Sequence, residues 1–318
     1  MARCGCGLSP GPSTTHTRAR QPFRATPSRH RARVVRTRAD MLASGLTRSQ
    51  IDGKGFFAPT HGVHVPSSVR DGLELRCDAL QLVIPEPNFS HRTAVMLYRQ
   101  PLLRPRRLID VTVEPPQNAP RRQEVQGYER VLPPDHVRLL RGRRVTSPAR
   151  TWLDIASQVP QTELIVVGDA MLNSGAVTID ELAAMIEFFA GRRGVEEARR
   201  ALPRLEPRSK SPGESQTRIR IEDEGMPRPL SNVDVFDESI GFIGCPDLFY
   251  KEEKIAIQYE GDRHREERQF QKDTVRDQLM IRMGYVVLRA TKRDLKPWAN
   301  TFYDALRQLL LERTPRFL

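Results

Sequence analysis

The stretch that decides the fold reads SPGESQTRIRIEDEG at 211–225, NVDVF at 232–236, GFIGCPDLF at 241–249, KIAIQYEG at 254–261 and YVVLRA at 285–290. Ser211 before Pro212 is a helix start, with Pro at the first helical position and Glu214 where a capping box places its acid. Gly225 stops that helix. Two short alternating runs and a third apolar run then read as strands, Asn232 to Phe236, Gly241 to Phe249 and Lys254 to Glu260. A helix from about 266 to 282, a fourth strand over 285–290 and a closing amphipathic helix over about 293–312 complete the order. That order, α-β-β-β-α-β-α, predicts a mixed sheet flanked by helices and an α+β class.

The acids of this stretch fall where chemistry is possible. Asp247 follows Pro246 on the second strand, Glu260 ends the third beside Gly261, and Glu214 sits in the preceding helix. Carboxylates gathered at one sheet edge repel and call for a counter-cation, and hard oxygen ligands suit Mg²⁺ or Mn²⁺. Such an ion activates water and stabilises the charge of a phosphodiester transition state. Each acid also has a plainer reading: Glu214 as a capping-box residue, Asp247 as a turn acid, Glu260 as a strand-end surface acid.

Upstream, residues 41–205 hold a short helical pattern (LTRSQI), a GVHVP stretch that suits a wing strand, two helical pieces between Leu73 and Leu103, and a strand over Leu108 to Glu114. Thr146-Ser147-Pro148 opens a further helix, and three more follow before LEPRSK at 205–210, which reads as a linker to a unit over 211–318. The LTRSQI segment is too short to be taken as a recognition helix on sequence alone.

The chain has 318 residues, 51 Lys+Arg against 39 Asp+Glu and a formal net charge of +12. Residues 1–40 hold nine Arg and one Asp, residues 211–318 are close to neutral, and the middle carries a modest excess of about five positive charges. The tail has almost no large apolar side chains and is expected to be disordered. It reads as a phosphate-gripping arm, as a transit peptide, or as sequence upstream of a start at Met41; it has no apolar signal-peptide core. No run is long enough to span a membrane. Four cysteines, Cys4 and Cys6 in the tail and the isolated Cys77 and Cys245, form no CxxC pair and point to free thiols in a reducing cytoplasm rather than to zinc. The Arg runs at 104–107, 121–122, 141–144 and 192–193 are phosphate contacts only if the fold brings them together. Oligomeric state is not legible.

Residues 211–295 resemble a domain-of-unknown-function family related to the very short patch repair endonucleases, within the PD-(D/E)XK nuclease superfamily. The matching pieces are SPGESQTR, Pro246-Asp247, IAIQYEGDRH, FQKDTVRDQ and GYVVLRAT. By position the resemblance implies Glu214, Asp247 and Glu260 as catalytic acids and metal ligands and His264 as a catalytic histidine, with Gln258, Asp273 and Arg276 in support. Asp273 and Arg276 equally read as a surface ion pair one helical turn apart. Two positions depart from the family pattern: the usual E-Y-D-G is Gln258-Tyr259-Glu260-Gly261 here. Gln258 brings no charge, and Glu260 carries its carboxylate one bond further out. SHRTAVMLY, RVTSPARTWLDIA and GDAML resemble the region preceding this domain in many actinobacterial proteins, whose amino-terminal part is likened to the winged-helix AbiEi-type antitoxin domain. The resemblance implies a divergent Mg²⁺-dependent DNA endonuclease, with DNA as partner. The alternative is a non-catalytic DNA-binding regulator or antitoxin-like protein that retains a degenerate nuclease fold.

Overall fold

The computed structural model describes residues 34–261 and 277–314. Val34 and Val35 are the first apolar pair of the chain, and Val35 is buried with Val63, Val65 and Ala79 in a small core. That burial fixes strand β1 (Arg36–Thr37). Thr37, with extended backbone, then accepts the Asp40 N–H and caps helix α1 (Arg38–Ala43). Gly45, at φ +91°, turns the chain, and Thr47 and Gln50 cap each other's backbone to open α2 (Arg48–Ile51). Strands β2 (Phe56–Thr60) and β3 (Val63–Pro66) follow. The three strands form an antiparallel sheet in the order β1-β3-β2. A boundary after residue 40 is therefore too late. The polar average of the first forty residues hides two valines that belong to the fold.

The middle of the chain begins with α3 (Leu73–Gln81), β4 (Asn88–Phe89), α4 (His91–Leu97), β5 (Ile109–Val113) and β6 (Val125–Glu129). Strands β7 (Val137–Leu140) and β8 (Arg143–Thr146) complete a five-stranded sheet, β6-β5-β4-β8-β7. It is mixed, with β4/β8 and β5/β6 parallel. Helix α4 packs on it, and four helices follow, the first of them packed on α4: α5 (Pro148–Ala156), α6 (Gln161–Asn173), α7 (Ile179–Phe188) and α8 (Val195–Ala201). Their largest core is centred on the fully buried Trp152, whose indole N–H donates to the Leu164 carbonyl at 3.0 Å.

The carboxyl-terminal unit starts with α9 (Pro212–Asp223) and β9 (Leu230–Ser231), then the hairpin of β10 (Val235–Asp237) and β11 (Gly241–Gly244). Strands β12 (Leu248–Tyr250), β13 (Ile255–Glu260) and β14 (Val286–Thr291) and helix α10 (Thr301–Arg313) complete it. The sheet order is β14-β13-β12-β9, with β13/β14 parallel and the other pairs antiparallel. The α+β class read from sequence holds. Two predicted strands do not survive whole. Asn232 to Phe236 shrinks to its last two residues plus Asp237, and Gly241 to Phe249 breaks at Cys245-Pro246-Asp247, because proline cannot donate to a ladder. The closing helix begins at Thr301, and Trp298 just before it lies three-quarters exposed. Leu205 to Lys210 is no free linker. Leu205 and Ser209 are buried, and the Glu206 N–H donates to Asp169 at 2.7 Å.

Candidate functional site

Asp247 lies in the break before β12 rather than within a strand. Its Oδ2 accepts the Tyr259 N–H at 2.7 Å, and its carbonyl accepts the Asn232 N–H at 3.0 Å. Glu214 is buried on the first turn of α9. Ser211 caps the helix by accepting the Glu214 N–H at 3.2 Å. The glutamate reaches one residue further back than a capping box does, accepting from the Lys210 N–H at 2.9 Å and the Asn232 side-chain amide at 2.7 Å. Glu260, at the end of β13, is paired with Arg289 of β14, which also holds Asp277. Gln258 stands opposite Arg289 in the parallel register.

The three carboxylates predicted as one metal site are thus each satisfied by a separate set of donors. Among the described residues no three His, Cys, Asp or Glu side chains converge as a ligand set. Among the described residues Glu214, Asp247 and Glu260 therefore do not by themselves make a ligand set for Mg²⁺ or Mn²⁺. His264, Asp273 and Arg276 lie outside the described residues. Sequence reasoning missed Asn232 and Arg289. Asn232 is the joint between Glu214 and Asp247, and its left-handed backbone (φ +48°) is of the kind Asn tolerates. The only sequence cue was an Asn within a Ser-Asn-Val-Asp turn.

The motifs of the middle region turn inward as well. In SHRTAVMLY, Ser90 shares a 2.8 Å hydrogen bond with Thr112, and His91 stacks on Tyr128 with ring centres 3.9 Å apart. Thr93 accepts the Asp110 N–H at 2.8 Å, and Arg92 donates to two backbone carbonyls, of Arg104 and Gln158. Burial holds the His91 imidazole neutral, with its pKa pushed down to about 4. The aspartate of GDAML, Asp169, is buried against the wholly buried Arg218 of SPGESQTR at 2.8 Å and accepts the Ser215 hydroxyl at 2.7 Å. Burial pushes its carboxyl up despite the opposing charge of Arg218. These two motifs weld the middle to the carboxyl-terminal unit.

The outward-facing chemistry lies at the other end. Helices α1 and α2 are joined by the Gly45 turn and followed by the β2–β3 hairpin. Arg38 clamps Asp52 with two hydrogen bonds, at 2.9 and 2.6 Å, fixing the start of α1 to the end of α2. Gln50 is spent on its own helix cap, while Arg48, Ser49 and Lys54 are exposed. Arg122 of the middle region donates to Thr60 Oγ1 at 3.0 Å and to the His61 carbonyl at 3.1 Å, pinning the hairpin turn. No helix among the described residues is long and apolar enough to cross a membrane.

The chain resembles known proteins over part of its length. Two uncharacterized proteins of Mycobacterium tuberculosis, MT2308 and Rv2248, are each 26% identical to this chain over 156 residues, 49% of the chain and 57% of theirs. The match therefore spans little more than half of those relatives. The crystal structure of the RV2827C protein from Mycobacterium tuberculosis superposes on 65% of this chain and 85% of its own, at 13% identity and a TM-score of 0.41. Residues 79–204 match the AbiEi antitoxin C-terminal domain, so the middle of this chain is AbiEi-antitoxin-like in sequence.

Proposed function

We propose that the protein is an antitoxin-like DNA-binding protein that places its amino-terminal winged helix–turn–helix on duplex DNA. The observation that carries this reading is the unit over residues 36–66. A capped, solvent-facing α2 follows a glycine turn and precedes a β-hairpin, with exposed Arg48, Ser49 and Lys54 free of caps and ion pairs among the described residues. The AbiEi-like match over 79–204 supports the same reading from the adjoining domain. Helix–turn–helix proteins present the second helix to the major groove and use cations on its flanks for phosphate. Fluorescence anisotropy with labelled duplex tests it: salt-sensitive binding that weakens in Arg48→Ala is expected, and absence of binding by the intact chain at low salt would sink the idea.

A second reading, a metal-dependent nuclease, is favoured by one feature. The carboxyl-terminal unit keeps a helix, then β9, β12 and β13 of one sheet, then a parallel fourth strand, β14, with Asp247 just before β12 and Glu260 at the end of β13. Plasmid nicking with Mg²⁺ and with Mn²⁺ decides it. The antitoxin-like reading expects intact supercoiled DNA, and cleavage abolished by Asp247→Ala would restore the nuclease.

A further inference from the structure

Of the four arginine runs, the structure disposes of one as scaffold. Arg141 and Arg143 pair with Glu74, Arg143 also with Asp78, and Arg144 with Asn88 and Glu114. Two others converge. Arg107 and the Arg121-Arg122 pair line one open cleft of about 910 Å³ whose opposite wall is the end of β2 and the hairpin turn, Ala58 to His61. Arg107 and Arg121 are exposed and make no ion pair among the described residues. Arg76, also on the wall, is neutralised by Asp71 at 2.6 Å, and Glu124 is the one acid on the lining. The cleft thus carries two uncommitted guanidinium groups beside the wing.

Its geometry is built rather than accidental. The segment bearing Arg121 is pressed onto β6 at Gly127, where any side chain would overlap the backbone of Pro120. The next residue, Arg122, is the one that pins the hairpin turn. Held on both sides, Arg121 sits at a fixed offset from the wing, which lowers the ordering cost of an ionic contact, and Arg107 joins it on the cleft lining from the segment just before β5.

We infer that this cleft is a second phosphate-contacting surface, continuous with the wing, which receives the sugar–phosphate backbone of the same duplex that α2 reads. The inference rests on the DNA-binding reading and extends it to the AbiEi-like domain. Guanidinium groups suit phosphate because they donate two parallel hydrogen bonds and keep their charge at any physiological pH. Contacts of this kind position the duplex without reading its sequence.

The test is anisotropy with a ~30-base-pair random-sequence duplex across a salt series, using the full chain, Arg107→Ala/Arg121→Ala, Arg48→Ala, and Arg192→Ala/Arg193→Ala. The last double variant removes the same charge from a remote exposed run. The cleft variant is expected to reduce the slope of log K against log salt by about 2, one unit for each phosphate left unneutralised, whereas the remote variant leaves it unchanged. Equal slopes in the cleft variant and the full chain would overturn the cleft while leaving the DNA-binding reading intact if Arg48→Ala still weakens binding. An equal loss in both double variants would reduce the effect to net charge and also overturn it. No binding by the full chain would end both readings. Neither cleft arginine has an ion-pair partner among the described residues to orphan, and near-ultraviolet circular dichroism confirms that the variant folds.

Discussion

His91 shows what a buried titratable residue does to stability. Its pKa is about 4 in the fold and near 6.5 when the chain is unfolded. Between those values the unfolded state binds more protons than the native one. The stabilisation is therefore complete above pH 6.5 and drains away as pH falls towards 4, by about 3 kcal/mol in all. Asp110 nearby, pushed up by burial, acts in the opposite sense over a window opening at the ordinary carboxylate value. Urea midpoints are expected to fall between pH 7 and pH 5, and His91→Phe, which keeps a ring against Tyr128, to flatten that fall. An unchanged pH slope in the variant would refute a neutral buried imidazole. Gly213 makes a second single-residue case. A methyl there would run into the Tyr259 ring, so Gly213→Ala should lose about 1–3 kcal/mol by overpacking, read as a lower melting temperature.

Helix α2 is only four residues long, so its cap is a large share of what holds it. Thr47→Ala should cost about 1 kcal/mol of stability and weaken duplex binding together, because a frayed helix no longer presents Arg48. Unchanged affinity would separate α2 from DNA. Caps were also what the sequence displayed best. Ser211 with Pro212 and Ser147 with Pro148 each announce a helix that starts at the next residue, as does Thr178, one of two candidate caps there, since the chemistry is local, although Ser147 makes no side-chain cap bond. The strand over GVHVP was legible too, but not its pairing with Phe56–Thr60. The acid cluster was not. Whether Glu214, Asp247 and Glu260 meet depends on where Asn232, Tyr259 and Arg289 send their donors, and those partners lie 18, 12 and 29 residues away. The strand over 241–249 looked continuous because its side chains alternate, but Pro246 interrupts the backbone ladder that alternation does not report.

At the scale of the molecule, the weld between α6 and α9 decides how the parts unfold. Arg218 is wholly buried and answers to Asp169 across the seam. Arg218→Met should cost about 3–5 kcal/mol, since it leaves the buried Asp169 carboxylate without its cation, and Asp169→Ala should cost less, because Glu222 still pairs with Arg218 at 2.7 Å. Loss of the ion pair is expected to split a single denaturation into two steps; a single unchanged transition in Asp169→Ala would argue that the weld carries no coupling. Net charge says little about function at this scale. The uncommitted cations near the wing number only a few, and much of the +12 belongs to the first forty residues. The two tryptophans give the molecule a spatially resolved optical readout. Trp152 is sealed inside the helical layer and Trp298 stands in solvent on the carboxyl-terminal unit. Iodide should quench Trp298 alone in the native protein, and a red shift in emission should report the opening of the AbiEi-like domain while staying silent as the carboxyl-terminal sheet melts.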